Sequence, residues 1–187
     1  MSSKENNLKE KFKNALTSTA KVIADDIKLN KKSKDLKTIE IDVLTCRSDF
    51  IKLRAESDSS ALKKKFSNDE IYKKNLPSNT SSRSLYNIAE KIRYEVLGGK
   101  MLKGIEKNFK ENYNQIIKLK RKDQLKTKED VPVIEAFELY MLKKFHGIKL
   151  NSLTNNMLHF WEKDFDQVIE KHIKFLKENL EYQNKYS

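Results

Sequence analysis

The sequence contains few of the residues that interrupt helices or cross-link a chain. It has four glycines and two prolines in 187 residues, so long helices would meet few breakers. Its single cysteine, Cys46, excludes a disulfide framework. It has no run of about 18 apolar residues, and its polar N-terminus lacks the apolar segment of a signal peptide. These absences predict a reduced, cytoplasmic protein without a membrane span.

Positive charge is abundant, and lysine supplies nearly all of it. The 39 basic residues exceed the 27 acidic ones and give a net charge of +12. The stretch from Lys100 to Lys128 alone holds ten basic residues against three acidic ones. Such a surface favours either a nucleic-acid or acidic-protein partner, or a solvated face of a lysine-rich protein. Only five residues are arginine, the side chain that specific phosphate and base contacts prefer, which favours the solvated face.

Hydrophobic periodicity predicts a mainly α-helical bundle with long helices, formed by residues 1–187 as a single domain. Apolar residues recur at helical spacing over 5–25, from about Ser48 or Asp49 to Phe66, and over most of the C-terminal half. Ser67 and Glu70 fit a capping box for a short helix, and Asp130 is expected to cap another. Residues 38–44 instead alternate in the manner of a strand, which is compatible with a small β-hairpin near residues 27–44.

The longest apolar stripe runs from Leu85 to Ile117 and crosses two adjacent glycines. Gly98 and Gly99 together would destabilise a helix interior by about 2 kcal/mol relative to alanine. Because Gly104 continues the pattern, we expect a continuous or kinked helix whose glycines let another helix approach closely.

Residue patterns that carry catalysis or ligand binding are missing. The sequence has no P-loop and no dinucleotide-binding glycine motif. No two of the three histidines lie at the short helical spacing of a metal site, and His172 is expected on the apolar face of the last helix. Paired carboxylates fall near helix ends, where they cap. The sequence therefore predicts no catalytic residue and no cofactor or metal site in this chain.

Two segments, residues 54–62 and residues 90–108, resemble motifs of the cobalamin biosynthesis protein CobT family, whose members are subunits of aerobic cobaltochelatase. Residues 54–62, Arg-Ala-Glu-Ser-Asp-Ser-Ser-Ala-Leu, resemble the family's Arg-Gly-x-Ala-Asp-x-x-Ala-Leu. Residues 90–108 resemble its Glu-x-x-Arg-x-Glu-x-(Leu/Ile)-Gly-(small)-(basic)-x-Met-x-Gly-(Val/Ile)-x-x-Asn, with Leu102 where the family usually has Met. Further landmarks are the Phe12–Ala15 helix, the helix start at Glu129–Pro132, and Trp161. The resemblance covers roughly residues 10–180 and excludes the family's C-terminal von Willebrand A domain.

The resemblance implies an accessory role. The family's complex uses ATP, magnesium and cobalt, with a CobS-like AAA+ subunit and a large chelatase subunit as partners. This segment would be a non-catalytic assembly module, and the alternative is a basic helical nucleic-acid-binding protein.

The resemblance also marks six residues as candidates for motif or interface roles. These are Arg54, Asp58, Arg93, Glu95, Gly98 and Gly104. Arg93 and Glu95 do not face each other on a helix, so we expect one of them to bond Asp58 across a helix pair. The four charged candidates serve either as structural ion pairs or at an interface.

Overall fold

The computed structural model describes residues 3–24, 47–119 and 127–187, and these residues are helical without any strand. The mainly α-helical prediction is thus confirmed, whereas the hairpin expected near residues 27–44 lies outside the described residues. The helices are α1 (Ser3–Ile23), α2 (Arg47–Phe66), α3 (Asp69–Asn75), α4 (Thr80–Met101), α5 (Lys103–Leu119), α6 (Val133–Met141), α7 (Ser152–Phe165), α8 (Lys171–Glu178) and α9 (Gln183–Tyr186). None of the described helices is long and apolar enough to cross a bilayer.

Helix α2 lies at the centre of the first half of the chain and contacts α1, α4 and α5. Its central turns carry small residues, Ala55, Ser57, Ser59 and Ala61, which are buried and let three neighbours approach. Phe12 of α1 meets Phe50 of α2 edge-on, with ring centroids 5.0 Å apart. A second layer forms where α6 packs on α7 and on α4.

Two helix starts are capped differently from the prediction. Asn68, not Ser67, caps α3, and its Oδ1 accepts hydrogen bonds from the backbone N–H groups of Glu70 and Ile71. Asp130 does not cap α6, because its carboxylate accepts from the Thr127 N–H at 2.9 Å and closes a 3₁₀ turn instead. Gly147 ends the π-helical turn after α6, with a φ of 62° that glycine adopts without strain.

The long apolar stripe folds into a helical hairpin, so the expected continuous or kinked helix is wrong. The break falls at Leu102, whose extended backbone (φ −138°, ψ 115°) separates α4 from α5, and not at the glycines. The two helices run antiparallel and pack on each other, with Tyr113 opposite Glu95. Hairpin packing thus buries the apolar faces of α4 and α5 against each other and against α2.

The three glycines of the stripe differ in their surroundings. A Cβ on Gly98 would lie 2.3 Å from Cδ1 of Leu62, a fully buried side chain of α2. A Cβ on Gly99 would lie 3.3 Å from Cβ of Glu106 on α5. A Cβ on Gly104 would meet no described atom within 4 Å. Close helix packing therefore accounts for Gly98 and Gly99 and does not account for Gly104.

Candidate functional site

The charged residues shared with the family pattern fall into a buried set and an exposed one. Asp58, Arg93 and Glu95 are at most 3 % exposed. Arg54, one turn before Asp58, is exposed. Neither Arg93 nor Glu95 contacts Asp58, so the expected bond across the helix pair is wrong.

Arg93 is the hub of a buried network beneath the C-terminal segment. Its Nε donates to both carboxylate oxygens of Glu90, at 3.2 and 3.3 Å. Its Nη1 donates to the Leu180 carbonyl at 3.0 Å, and its Nη2 donates to the Phe66 carbonyl at 2.8 Å. One guanidinium therefore joins α4 to the end of α2 and to the residues after α8, and we call these contacts the Arg93 network.

Glu90 completes that network from the other side. Its carboxylate accepts from Gln183 Nε2 and from the Ser187 hydroxyl, each at 3.0 Å. Gln183 in turn accepts from the backbone N–H of Asn68 at 2.7 Å. A buried charge pair is tolerated when its remaining donors and acceptors are bonded in this way. The Arg93 network therefore fixes the C-terminal segment on the helical body.

Glu95 faces the opposite side of α4, toward α2 and α5. Its carboxylate accepts from the Ser59 hydroxyl at 2.7 Å and from the Tyr113 hydroxyl at 2.6 Å. Lys91 Nζ lies 4.0 Å away, at the solvent side. Burial raises the pKa of the Glu95 carboxyl, while Lys91 and the two hydroxyl donors oppose that rise.

His146 shares this second cluster, and sequence patterns did not single it out. Its Nε2 lies 3.7 Å from Glu95 Oε2, beyond hydrogen-bond distance, and has no hydrogen-bond partner among the described residues. Burial lowers the His146 pKa from 6.5 to about 4, with Lys110 adding to the effect. His146 and Glu95 lie at the base of a cleft of about 210 Å³ between α4, α5 and the turn after α6. We call Glu95, His146, Ser59 and Tyr113 the Glu95 cluster.

The other histidines are exposed, so the placement of His172 on an apolar, packed face is wrong. The residue that follows His172 on the same helix, Ile173, is the buried one. The sequence pattern gave only a weak indication that His146 is buried, because His146 lies at the end of its helical segment, directly before Gly147.

Asp58 is held by α5. The Asn108 amide donates to Asp58 Oδ2 at 2.7 Å. Burial raises the pKa of the Asp58 carboxyl, and the Asn108 bond and the Arg54 charge oppose that rise. The contact ties together the two segments that carry the family resemblance.

Arg54 lies at the edge of a second cleft, of about 240 Å³, between α1, α2 and α5. Apolar side chains from α1 and α2 form its walls: Phe12, Phe50 and Ile51. Arg47, Asn108 and Glu111 complete the lining. Arg47 pairs with Glu111 at 3.3 Å on the surface, while Arg54 has no hydrogen bond or ion pair within the described part of the chain. We call this feature the α1–α2 cleft.

The basic stretch is partly neutralised by its own neighbours. Lys110 and Lys103 flank Glu106, at 2.6 and 3.4 Å. Lys128 pairs with Asp164 and lies 4.2 Å from the centroid of the Trp161 ring. Residues 120–126 lie outside the described residues. The described lysines of this stretch therefore do not form one uninterrupted cationic surface.

Candidate metal ligands do not cluster in the described ranges. No group of three His, Cys, Asp or Glu side chains there could hold a metal ion. The buried carboxylates accept hydrogen bonds from their own neighbours, so they serve the packing of the fold.

Two further landmarks of the family pattern meet in the structure, since Trp161 Nε1 donates to the Val131 carbonyl at 3.0 Å. Comparison with known proteins agrees: the family model described as cobalamin biosynthesis protein CobT matches residues 6–187. No curated protein and no solved structure gives a significant match. The match extends over nearly the whole sequence and includes both the Arg93 network and the Glu95 cluster. The chain belongs to the CobT family of cobalamin biosynthesis proteins.

Proposed function

We propose that this chain is a non-catalytic assembly module of an ATP-dependent cobaltochelatase, which docks to a CobS-like AAA+ subunit and to the large chelatase subunit in the cytoplasm. In this role the partners supply ATP hydrolysis, with its magnesium, and cobalt insertion. The chain contributes a rigid helical body that connects them.

The observation that supports this proposal is the use of the charged residues in the family pattern. Arg93, Glu95 and Asp58 are buried, and each is hydrogen-bonded by groups of the same chain. Their hydrogen bonds join α2, α4, α5 and the C-terminal segment, so these three residues have a structural role. A body held in this way presents its exposed faces in fixed relative positions, as a docking subunit requires.

Co-elution tests the proposal. The purified chain and the AAA+ subunit from the same organism are mixed with ATP, ADP or a non-hydrolysable ATP analogue and run on a sizing column. We expect one complex in at least one nucleotide state, and neither ATPase nor cobalt insertion from the chain alone. A basic helical protein of similar net charge serves as the control, because adhesion through charge alone would retain it too. Separate elution in every nucleotide state would refute the docking role.

The alternative, a nucleic-acid-binding protein, is tested with the same preparation. It predicts a shift of duplex DNA at low salt that weakens steeply as salt rises. The ion pairs of Lys103, Lys110 and Lys128 reduce the free charge available for such binding. We therefore expect no duplex binding at physiological salt.

A further inference from the structure

The α1–α2 cleft combines an apolar interior with an unpaired guanidinium at its edge. Phe12 and Phe50 meet edge-on inside it, and Ile51 adds an aliphatic wall. Asn108 closes the base, where its bond to the buried Asp58 fixes the amide. The packing of α1 and α5 against α2 therefore forms the cleft in the isolated chain.

Arginine is concentrated at this cleft. Two of the five arginines in the sequence, Arg47 and Arg54, line it, in a chain whose positive charge otherwise comes from lysine. A guanidinium offers a planar set of donors that fits a carboxylate in a bidentate manner, which an ammonium group does not. Because Glu111 already pairs with Arg47, the Arg54 guanidinium is the free cation of this cleft among the described residues.

Arg54 also differs from the other three charged candidates for motif or interface roles. Asp58, Arg93 and Glu95 are used inside the fold, whereas the Arg54 side chain is exposed and has no bonded partner in the described part of the molecule. Hydrogen bonds within the fold account for the three buried residues, whereas Arg54 acts on the fold only through its charge, which favours the ionised form of the Asp58 carboxyl. The exposed guanidinium beside an apolar cleft is therefore available to a partner.

We propose that the α1–α2 cleft is a docking site for a short acidic and apolar segment of the AAA+ subunit. An apolar side chain of that segment enters between Phe12, Phe50 and Ile51. A carboxylate close to it in sequence pairs with Arg54. This assignment rests on the proposed function, because the same AAA+ subunit is the partner. It adds which surface of this chain the AAA+ subunit contacts and which side chains recognise it.

The test measures the dissociation constant of the full chain with the purified AAA+ subunit, using the nucleotide state in which the wild type binds. Arg54→Glu is expected to weaken binding at least tenfold, and Arg54→Lys by a smaller factor, because lysine keeps the charge and loses the fork. Lys174→Glu, an exposed position on α8 with the same charge change, is the matched control and is expected to bind as the wild type does. Circular dichroism of each variant checks that the fold is retained.

A photo-crosslinking residue placed at Phe12 identifies what enters the cleft. The crosslinked peptide of the AAA+ subunit is expected to contain an aspartate or glutamate within four residues of an aliphatic or aromatic residue. Capture of a second copy of this chain would overturn the proposal in favour of self-association.

The outcomes separate this inference from the proposed function. If the wild type binds and Arg54→Glu binds equally well, the cleft assignment is wrong and the docking role stands. If the wild type does not bind at all, both are wrong. If Arg54→Glu instead abolishes binding of duplex DNA while the AAA+ complex is unaffected, the site recognises phosphate and the segment proposal is overturned.

Discussion

Arg93 and Glu95 lie two residues apart on α4, yet their surroundings differ in how completely they are satisfied. Each nitrogen of the Arg93 guanidinium donates a hydrogen bond, and Glu90 accepts from two more side chains. The Glu95 cluster is incomplete, because His146 Nε2 has no hydrogen-bond partner among the described residues. In the Arg93 network, therefore, no guanidinium nitrogen is left without an acceptor. The Glu95 cluster contains a group whose protonation the fold resists.

Removing Arg93 is expected to have the largest effect on stability. Arg93→Met leaves Glu90 as a buried, unpaired carboxylate and should lower the free energy of unfolding by about 3–5 kcal/mol. Urea denaturation measures it, with Arg83→Met on the same helix as the exposed control, where the change should stay within about 0.5 kcal/mol. The double variant Glu90→Met/Arg93→Met should destabilise by less than the sum of the single variants. Additive single effects would show that the pair is not coupled.

The Gly98 contact is expected to be next in size. Gly98→Ala places a methyl group 2.3 Å from the buried Leu62 and should destabilise the protein by about 1–3 kcal/mol through overpacking. Gly104→Ala is the matched control, and should be neutral or stabilising by up to about 1 kcal/mol. Thermal unfolding of both variants and of Gly98→Ala/Leu62→Ala measures the effect. If the smaller side chain at position 62 gave no relief, the Leu62 contact would not be the cause.

The free energy of unfolding should depend on pH through His146 in the Glu95 cluster. The folded pKa of His146, about 4, is lower than its ordinary 6.5. Below pH 6.5 the unfolded chain therefore takes up a proton that the folded chain resists until about pH 4. The contribution of His146 to the free energy of unfolding thus falls as pH drops from 6.5 to 4. Between pH 8 and pH 5 this contribution should fall by about 2 kcal/mol.

Comparison of His146→Gln with the wild type isolates this contribution. The difference between their unfolding free energies should change across that pH window. His159→Gln and His172→Gln, both exposed, should follow the wild type at every pH. Parallel profiles for all four proteins would show that His146 titrates normally and that the cluster is open to water.

Arg54 should have the smallest effect on stability, in contrast with Arg93. Because Arg54 is exposed and unbonded within the described part of the chain, Arg54→Ala should change the free energy of unfolding by less than about 0.5 kcal/mol. Urea denaturation of Arg54→Ala and of Arg93→Met under the same conditions measures both changes in the free energy of unfolding. A loss of more than 1 kcal/mol would place Arg54 in the same structural class as Arg93.

The helices were predictable because their apolar residues follow the 3.6-residue period over long windows. The hairpin at Leu102 was not, because leucine favours helices and its extended backbone is imposed by the packing of α4 on α5. The glycine pair suggested close packing correctly, but it could not show that Leu62 is the neighbour.

The candidate site was predictable in its residues and not in its connections. Resemblance to the family marked Arg93 and Glu95, while the partners of Arg93 lie up to 87 residues away in sequence, as in its bond to the Leu180 carbonyl. Period and spacing carry no information about such distant pairs. His146 was missed for the same reason, since its burial depends on α4 and α5, not on its own helix.

The Arg93 network has a consequence for the order in which the protein acquires its structure during synthesis. Glu90 and Arg93 leave the ribosome long before Leu180 and Gln183, because Leu180, whose carbonyl accepts from Arg93, follows it by 87 positions in sequence. Until those residues emerge, the two charges must stay hydrated, and the surface of α4 that carries them cannot close. A nascent chain arrested before Leu180 should therefore remain sensitive to protease near Arg93. Emergence of residues 180–187 from the ribosome should abolish that sensitivity.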